Sequence, residues 1–200
     1  MKFTATIFIT AAASAAAFAP VSVHLTPSTK ASARSASALD ASIVDTLAGM
    51  EGPGQVWGAE GIAVGKEESD LRGYDGFGKF VQALQSTGVA QTLSGPGPYT
   101  VFAPTDTAVD AYVSRNGPVD ANAINYCIVP GNVPSSGLAG ANLQNLAGST
   151  LTYGRRFRKD FVNDSIIGEK TFGPYSDFPV DVACDNGVIH AVGLMLDANA

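Results

Sequence analysis

Helical and strand-like patterns follow one another in separate blocks along this chain. Apolar residues at three- and four-residue spacing predict a helix from Phe77 to about Leu84, ended by Gly88. Further helices are predicted over 89–93, 105–113 and 121–126, and strands over 99–103, 150–153, 157–162, 165–167, 180–184 and 188–196. Because helices come first and strands mostly later, the sequence predicts a single α+β domain rather than an alternating parallel sheet.

A short strand leads directly into a helix in the middle of the chain. Residues 99–103 form an apolar run that predicts a buried strand. Pro104 follows, and since proline has no amide hydrogen it ends the run. Either Thr105 or Asp106 can then accept hydrogen bonds from the free amides of the helix start. The segment therefore predicts a strand, a sharp turn and a capped helix.

A second turn lies close to the C-terminal end. Asn186 and Gly187 form a turn dipeptide between two strand-like runs, and the glycine can supply the positive backbone angle of such a turn. His190 follows within an apolar strand, so we expect it to be buried. A lone buried histidine lacks the further ligands that a metal ion needs, so a structural role is expected.

Three segments, in order, resemble the signature blocks of fasciclin-type domains. Residues 99–108 are similar to TVFAPTxxAF, residues 186–192 to NGVIHVID, and residues 125–131 lie where the family has a YHVVPG-like segment. The resemblance covers roughly residues 73–199 and implies a compact wedge of β-sheet with helices packed on one side. It implies that a set of motif residues holds the core together: Thr100, Phe102, Ala103, Pro104, Thr105, Tyr126, Asn186, Gly187 and His190.

The chain departs from the family pattern at three positions. Cys127 stands where the middle block of the family commonly has histidine. Any role of a hydrogen bond between the tyrosine and the histidine of that block is therefore altered in this chain. Val109 stands where phenylalanine is common, and residues 194–197 lack the usual Leu-Leu-Pro. We therefore expect a diverged member of the family with an intact fold.

The first forty residues have the composition of a targeting leader. Residues 1–17 carry one lysine and an alanine-rich apolar run, which is typical of a signal peptide and too short for a good membrane span. Residues 21–39 hold seven Ser or Thr, together with Lys30 and Arg34, and no acid. This composition is typical of a transit peptide.

The junction before Phe18 favours import into a plastid. It resembles the ASAFAP-type junction of bipartite presequences in algae with complex plastids, and it predicts a signal peptide over 1–17 and a transit-peptide-like segment over 18–40. The alternative is a secretory signal cleaved after Ala19. A flexible Gly- and Trp-containing leader is expected over 41–72, followed by the fasciclin-like domain over 73–199.

Composition and motif content exclude several classes of function. The formal net charge of -6 disfavours a general nucleic-acid binder. Two cysteines and two histidines cannot build a disulfide framework, a four-cysteine zinc site or a histidine-rich metal site. The sequence contains no nucleophile elbow, phosphate loop, dinucleotide fingerprint or zinc-protease motif. We expect no catalytic residue, no cofactor and no bound metal.

Two segments are candidates for binding a protein partner. Trp57 lies in the Gly-rich leader and either packs on the domain or inserts into a partner. The second candidate is a basic run made of Arg155, Arg156, Arg158 and Lys159. It could dock on anionic lipid, a phosphate or an acidic partner, or it could be the solvated rim of a hairpin.

The two thiols and one asparagine carry further expectations. Cys127 and Cys184 either form a disulfide, worth about 4 kcal/mol, or remain buried free thiols, as favoured in a reducing plastid stroma. Asn163 begins an N-glycosylation sequon, which matters only if the protein is secreted.

The resemblance and the leader together indicate a function in protein interaction. We expect a non-enzymatic adhesion or interaction module, working in a plastid as a peripheral subunit or assembly factor of a photosynthetic membrane complex. Peripheral contact with the membrane is compatible with this expectation, and no transmembrane helix is expected after the leader. One alternative is a secreted adhesion or matrix protein. Another is a small-ligand-binding protein or enzyme with a pocket near His190.

Overall fold

The computed structural model describes residues 41–56, 71–157, 159–168 and 178–198. The helices in these ranges are α1 (Ile43–Gly49), α2 (Gly78–Ser86), α3 (Val89–Leu93), α4 (Asp106–Asn116) and α5 (Ala121–Tyr126), with a 3₁₀ helix over Ser135–Gly140. The strands are β1 (Gly54–Val56), β2 (Leu71–Tyr74), β3 (Tyr99–Pro104), β4 (Ile128–Pro130), β5 (Tyr153–Arg156), β6 (Lys159–Val162), β7 (Ser165–Ile167), β8 (Val182–Cys184) and β9 (Gly187–Val192). The predicted α+β class is confirmed.

The helices follow the apolar spacing of the sequence. Phe80, Val81 and Leu84 lie on the buried face of α2. Gly88 adopts a φ of 77° at the break between α2 and α3, a left-handed conformation that glycine adopts without steric cost. None of the described helices is long and apolar enough to cross a membrane.

The strand-to-helix turn in the middle of the chain forms as the sequence predicts. Pro104 is the last residue of β3, and Thr105 is the N-cap of α4, with its side-chain oxygen accepting the amide of Ala108 at 3.3 Å. Asp106, the alternative cap, serves a different helix. Its carboxylate accepts the backbone amide of Lys79 at 2.7 Å and so binds the start of α2.

In the described part of the chain, seven strands form one mixed sheet. Their order is β4-β3-β9-β7-β6-β5, and β8 also pairs with β9. β3 and β9 run parallel with Phe102 opposite His190, and the other strand pairs are antiparallel. All six residues of β9 are buried, so the β3–β9 pair lies in the hydrophobic core.

The strand predicted over 157–162 is shorter in the structure. Phe157 follows the end of β5, and β6 begins only at Lys159. Arg156 pairs with Lys159, which closes an antiparallel hairpin around residues 157–158. Arg155, Arg156 and Lys159 of the basic run therefore lie on the two strands of a hairpin.

Residues 41–56 pack on the domain, whereas the sequence predicts a flexible leader over 41–72. Ile43 and Leu47 lie one turn apart in α1 and are only 0% and 1% exposed. This apolar pair gives the short helix a face to bury. β1 also pairs with β2 in antiparallel fashion. Trp57 and the residues after it, up to 70, lie outside the described part of the chain.

Candidate functional site

The motif residues of the first block lie within the core. Thr100, Phe102 and Ala103 are all 0% exposed. The hydroxyl of Thr100 donates to the carbonyl of Gly131 at 2.7 Å and accepts the amide of Val133 at 2.9 Å. This side chain therefore joins β3 to the loop that follows β4.

Asn186 connects two helices to the turn before β9. Its Oδ1 atom accepts the amide of Ile43 at 3.0 Å, at the first turn of α1. Its Nδ2 atom donates to the carbonyls of Leu93 and Gly95, at and after the end of α3. One buried amide thus satisfies backbone groups at the start of one helix and the end of another.

Gly187 is required for a reason that differs from the sequence expectation. The turn consists of Asp185 and Asn186, because Cys184 and Gly187 already pair as strand residues. Gly187 has a φ of 154°, and a Cβ atom at this position would lie 1.8 Å from the carbonyl oxygen of Tyr99. The close approach of two parallel strands, rather than the turn type, excludes a side chain here.

His190 is fully buried and held by two backbone groups. Its Nε2 atom lies 2.9 Å from the carbonyl oxygen of Val133, and its Nδ1 atom accepts the amide of Asp181 at 3.3 Å. Because an amide can only donate, Nδ1 is the acceptor, and the ring proton on Nε2 is donated to Val133. The ring centroid also lies 5.6 Å from that of Phe102. These contacts fit the structural role expected for His190.

Asp181 links His190 to Ser135, but in an order unsuited to nucleophilic catalysis. The carboxylate accepts both the amide and the hydroxyl of Ser135 and lies 4.0 Å from Nδ1 of His190. Desolvation raises the pKa of Asp181, but hydrogen bonds from Ser135 outweigh it and the net pKa is lowered. In a catalytic triad the histidine lies between the serine and the carboxylate. Here the carboxylate lies between the other two side chains.

We expect the free energy of unfolding to decrease as the pH falls below about 6.5. Burial lowers the pKa of His190 from its ordinary value of 6.5. The unfolded chain therefore binds more protons than the folded chain in this window, so acidification favours unfolding. Urea unfolding of the wild type and of His190→Gln, followed between neutral pH and about pH 5 where carboxylates begin to titrate, measures the effect. The same pH dependence in both proteins would contradict it.

Cys127 and Cys184 are free buried thiols, so the candidate disulfide is not formed. The thiol of Cys127 contacts the carbonyls of Ala123 and Leu196, and burial raises its pKa to about 12. The thiol of Cys184 lies 3.3 Å from the hydroxyl of Thr46, and burial raises its pKa as well. The reactive thiolate is therefore scarce at neutral pH. No group of three or more His, Cys, Asp or Glu within the described ranges could hold a metal ion.

Tyr126 contacts the sequon asparagine. Its hydroxyl accepts Nδ2 of Asn163 at 3.4 Å, while Oδ1 of Asn163 accepts the amide of Thr152 at 2.9 Å. Asn163 has a φ of 51°, a conformation that asparagine tolerates better than most residues. Tyr126 and His190 thus contact different partners: Tyr126 bonds to Asn163, and His190 bonds to Val133 and Asp181.

The basic hairpin consists of β5, β6 and the connecting residues 157–158. Arg155 and Arg156 are exposed on β5, and Lys159 begins β6. Phe157 is 93% exposed, the most exposed of the large apolar side chains in the described ranges. Arg158 lies outside the described residues. The structure thus places three of the four predicted basic residues on the strands next to an exposed aromatic residue.

A cavity of about 260 Å³ lies beside the basic hairpin. Side chains of mixed character line it: Ser135, Leu138, Arg155, Asp160, Ile167 and Val180. Its volume is below the range of about 300–1,000 Å³ that is usual for small-molecule sites. Val180 lines the cavity, and the next residue, Asp181, donates its backbone amide to the fully buried His190.

Two features of these sites do not follow from the sequence patterns alone. The strand predicted over 157–162 includes Phe157, whereas in the structure Phe157 follows the end of β5 and lies between the paired residues Arg156 and Lys159. The contact of Asp181 with Ser135 has no local signal, because the two residues are 46 positions apart. Such a contact becomes visible only when the chain is folded.

Proteins of known sequence are similar to part of this chain. Protein sll1483 of Synechocystis sp. is 28% identical over 129 residues, which cover 60% of this chain and 66% of that protein. Transforming growth factor-beta-induced protein ig-h3 of Sus scrofa is 29% identical over 134 residues, which cover 63% of this chain and 18% of that protein. A second Synechocystis protein, sll1735, is 27% identical over 124 residues, which cover 58% of this chain and 85% of that protein. The chain thus spans just under two thirds of the first relative's length and less than a fifth of the second's.

The family assignment depends on a match to a family model. A model of the fasciclin domain family matches residues 75–197, which include β3, α4 and β9 with the motif residues that they carry. The match extends over more than half of the chain. This chain belongs to the fasciclin domain family.

Proposed function

We propose that this chain is a non-enzymatic interaction module that acts as a peripheral subunit or assembly factor of a photosynthetic membrane complex in a plastid. Fasciclin domains are generally non-enzymatic protein-interaction and adhesion modules. The observation that carries the interaction part is the contrast between core and surface. His190, Cys127 and Cys184 are buried and engaged, whereas Phe157, Arg155 and Arg156 are exposed. The described surface therefore carries groups suited to contact with a partner rather than reactive groups.

The plastid part of the proposal is supported by the composition of the leader. Residues 1–40 combine a signal-peptide-like segment with a basic, hydroxylated and acid-poor one, the order of a bipartite presequence. Residues 41–56, which follow the proposed presequence, pack on the domain and would remain with the mature protein.

Native electrophoresis of photosynthetic membranes tests the association. We expect the chain to comigrate with a photosynthetic complex when the membranes are solubilised in a mild detergent. A peripheral subunit should also be released from intact membranes by a high-salt wash, while integral subunits stay behind. Migration only as a free domain, in membranes and in the soluble fraction alike, would contradict the proposal.

The second candidate function is secreted adhesion, with a glycan on Asn163. The contacts of the sequon disfavour it, because both polar atoms of the Asn163 side chain are engaged in the fold. The hydroxyl of Ser165 is buried as well and accepts the amide of Leu194 at 2.9 Å. A glycan on Nδ2 would have to displace the contact with Tyr126.

We therefore expect no glycan on Asn163 in the native protein. Treatment of that protein with a peptide N-glycosidase should leave its electrophoretic mobility unchanged. Asn163→Ala should lower the free energy of unfolding by about 1–2 kcal/mol, since the amide of Thr152 loses its acceptor. A mobility shift that disappears in Asn163→Gln would favour the secreted alternative.

The third candidate function is small-ligand binding, and the cavity beside the basic hairpin is the observation that favours it. Arg155 and Asp160 supply charge, and Leu138 and Ile167 supply apolar surface. A short-chain carboxylate that binds Arg155 is the probe that fits this lining. Calorimetric titration with hexanoate, showing binding in the wild type and none in Arg155→Gln, would support this candidate. Equal heats in both proteins would exclude the cavity as its site.

A further inference from the structure

We propose that the tip of the basic hairpin is a docking site for an anionic membrane surface. In this arrangement Phe157 enters the interfacial region of the bilayer, while the flanking basic side chains bind lipid headgroups. The site adds to the proposed function a direct lipid contact, which is independent of any protein complex.

The tip carries an aromatic side chain that the fold itself does not use. Phe157 is 93% exposed and follows Arg156, which pairs with Lys159 across the hairpin. It therefore contributes little burial to the core. An exposed aromatic ring lies well at a membrane interface, where its apolar body leaves water.

The backbone at the tip is strained by this residue. Phe157 has a φ of 53°, a left-handed conformation that is unfavourable for a bulky side chain. Tight hairpin loops prefer Asn, Asp or Gly at such positions. Neither core packing nor turn geometry therefore explains a phenylalanine at position 157. This points to a contact with something outside the folded domain.

The charges around the ring complement an anionic surface. Arg155, Arg156 and Lys159 flank the tip, on a chain with an overall net charge of -6. Arg155 lies 3.4 Å from Asp160, and Arg156 lies 4.0 Å from Asp164, but these pairs are exposed. Exposed ion pairs are weak and are screened by salt, so the arginines can exchange these partners for lipid phosphates.

Protection of the sheet edge explains the charges but not the aromatic ring. β5 is the last strand in the described order of the sheet, and basic side chains on an edge strand discourage pairing with another chain. An exposed phenylalanine has the opposite effect, because it adds apolar surface to that edge. A ligand for this tip must therefore bind both the aromatic ring and the positive charges.

A membrane fits this tip better than an acidic protein does. A stable protein interface buries about 800 Å² on each partner and needs complementary shape. A two-residue loop with one ring offers little area, whereas a bilayer accepts a single aromatic wedge with cations around it. Lipid binding also tolerates the spread of charge along Arg155 and Arg156.

Cosedimentation with vesicles tests the proposal in the full chain. The vesicles contain phosphatidylcholine alone or with about 30 mol% phosphatidylglycerol, in low salt and in about 0.5 M salt. We expect binding to the anionic vesicles that weakens in high salt. Arg155→Gln and Arg156→Gln should each lower the partition coefficient about fivefold, and Phe157→Asn should lower it about tenfold.

Two variants provide matched controls. Val113→Ala removes part of another exposed apolar side chain, and Arg115→Gln removes another exposed basic one, both on α4. We expect both to bind like the wild type. Phe157→Asn should also melt at a temperature equal to or above that of the wild type, since asparagine tolerates the left-handed conformation. Lost binding in that variant cannot then be caused by unfolding.

The outcomes separate lipid binding at this tip from binding elsewhere on the chain and from binding to a protein. Residues 1–40 are common to all the variants, so binding by that segment would be equal in each of them. Equal binding of all variants, or no preference for anionic vesicles, would overturn the proposal. Retention on polyglutamate beads with the same variant dependence, and no binding to vesicles, would show an acidic protein partner instead. Native electrophoresis tests the complex without reference to Phe157, so either proposal can fail alone.

Discussion

Gly187→Ala is expected to abolish stable folding, with a loss of more than about 4 kcal/mol in the free energy of unfolding. The added Cβ would lie 1.8 Å from the carbonyl oxygen of Tyr99 and 2.8 Å from its backbone nitrogen. Both atoms belong to the backbone of β3, so no side-chain rotation can relieve the overlap. The parallel β3–β9 pair would have to separate at the centre of the sheet.

Circular dichroism during urea unfolding measures this effect. Gly49→Ala is the matched control, because a Cβ there meets no atom within 4 Å and Gly49 ends a helix. We expect the control to be neutral, or more stable by up to about 1 kcal/mol. A Gly187→Ala protein with a midpoint close to that of the wild type would contradict the close approach of the two strands.

Asn186→Ala should lower the free energy of unfolding by about 3 kcal/mol. The substitution removes the acceptor of the Ile43 amide and the donor to the carbonyls of Leu93 and Gly95. These groups lie in or next to the core, where water does not easily replace the lost partner. Because α1 is anchored through Ile43, its contact with the domain should loosen most.

Hydrogen exchange read out by mass spectrometry can locate the effect. We expect amides of α1 to lose protection in Asn186→Ala, together with those at the end of α3. Asn122→Ala is the matched control, since Asn122 is exposed on α5 and its replacement should be nearly neutral. A uniform loss of protection across the sheet, with α1 unaffected, would contradict the anchoring role of Asn186.

Local signals were sufficient for much of the secondary structure. The helix start at Thr105 or Asp106, the break at Gly88 and the helix over 121–126 each follow from a few adjacent residues, and the structure places the cap at Thr105. The fasciclin resemblance depends on similarly short blocks, and the family match confirms it. Such patterns can be recognised in the sequence because the residues that cause the local structure are neighbours in the chain.

Long-range contacts account for what the sequence did not show. The amide of Ile43 and the side chain of Asn186 are 143 positions apart, so the residues near α1 do not show which part of the domain holds this helix. Gly187 is explained by Tyr99, which belongs to a strand formed much earlier in the chain. The sequence predicts a turn as the reason for glycine at position 187, whereas the structure shows a steric contact with Tyr99.

The candidate sites also combine features that the sequence shows with features that only the fold shows. The basic run was visible as composition, but its place on an edge hairpin, with Phe157 at the tip, depends on strand pairing. His190 was expected in the core, whereas its bond to Val133 comes from a loop 57 positions away and its bond to Asp181 from the residue before β8. Composition therefore identified where charge collects, and only the fold shows which groups are exposed together.

The position of the mature N-terminus tests most directly whether this domain works in a plastid. The structure limits where cleavage can occur, because the carbonyl of Ala41 accepts the amide of Asp185 at 3.2 Å and Ser42 caps α1. Mass spectrometry of the terminal peptide of the native protein should find a start between residues 38 and 41. A start at Phe18 or Pro20 would show that residues 21–39 are retained, and it would contradict the plastid assignment in favour of secreted adhesion.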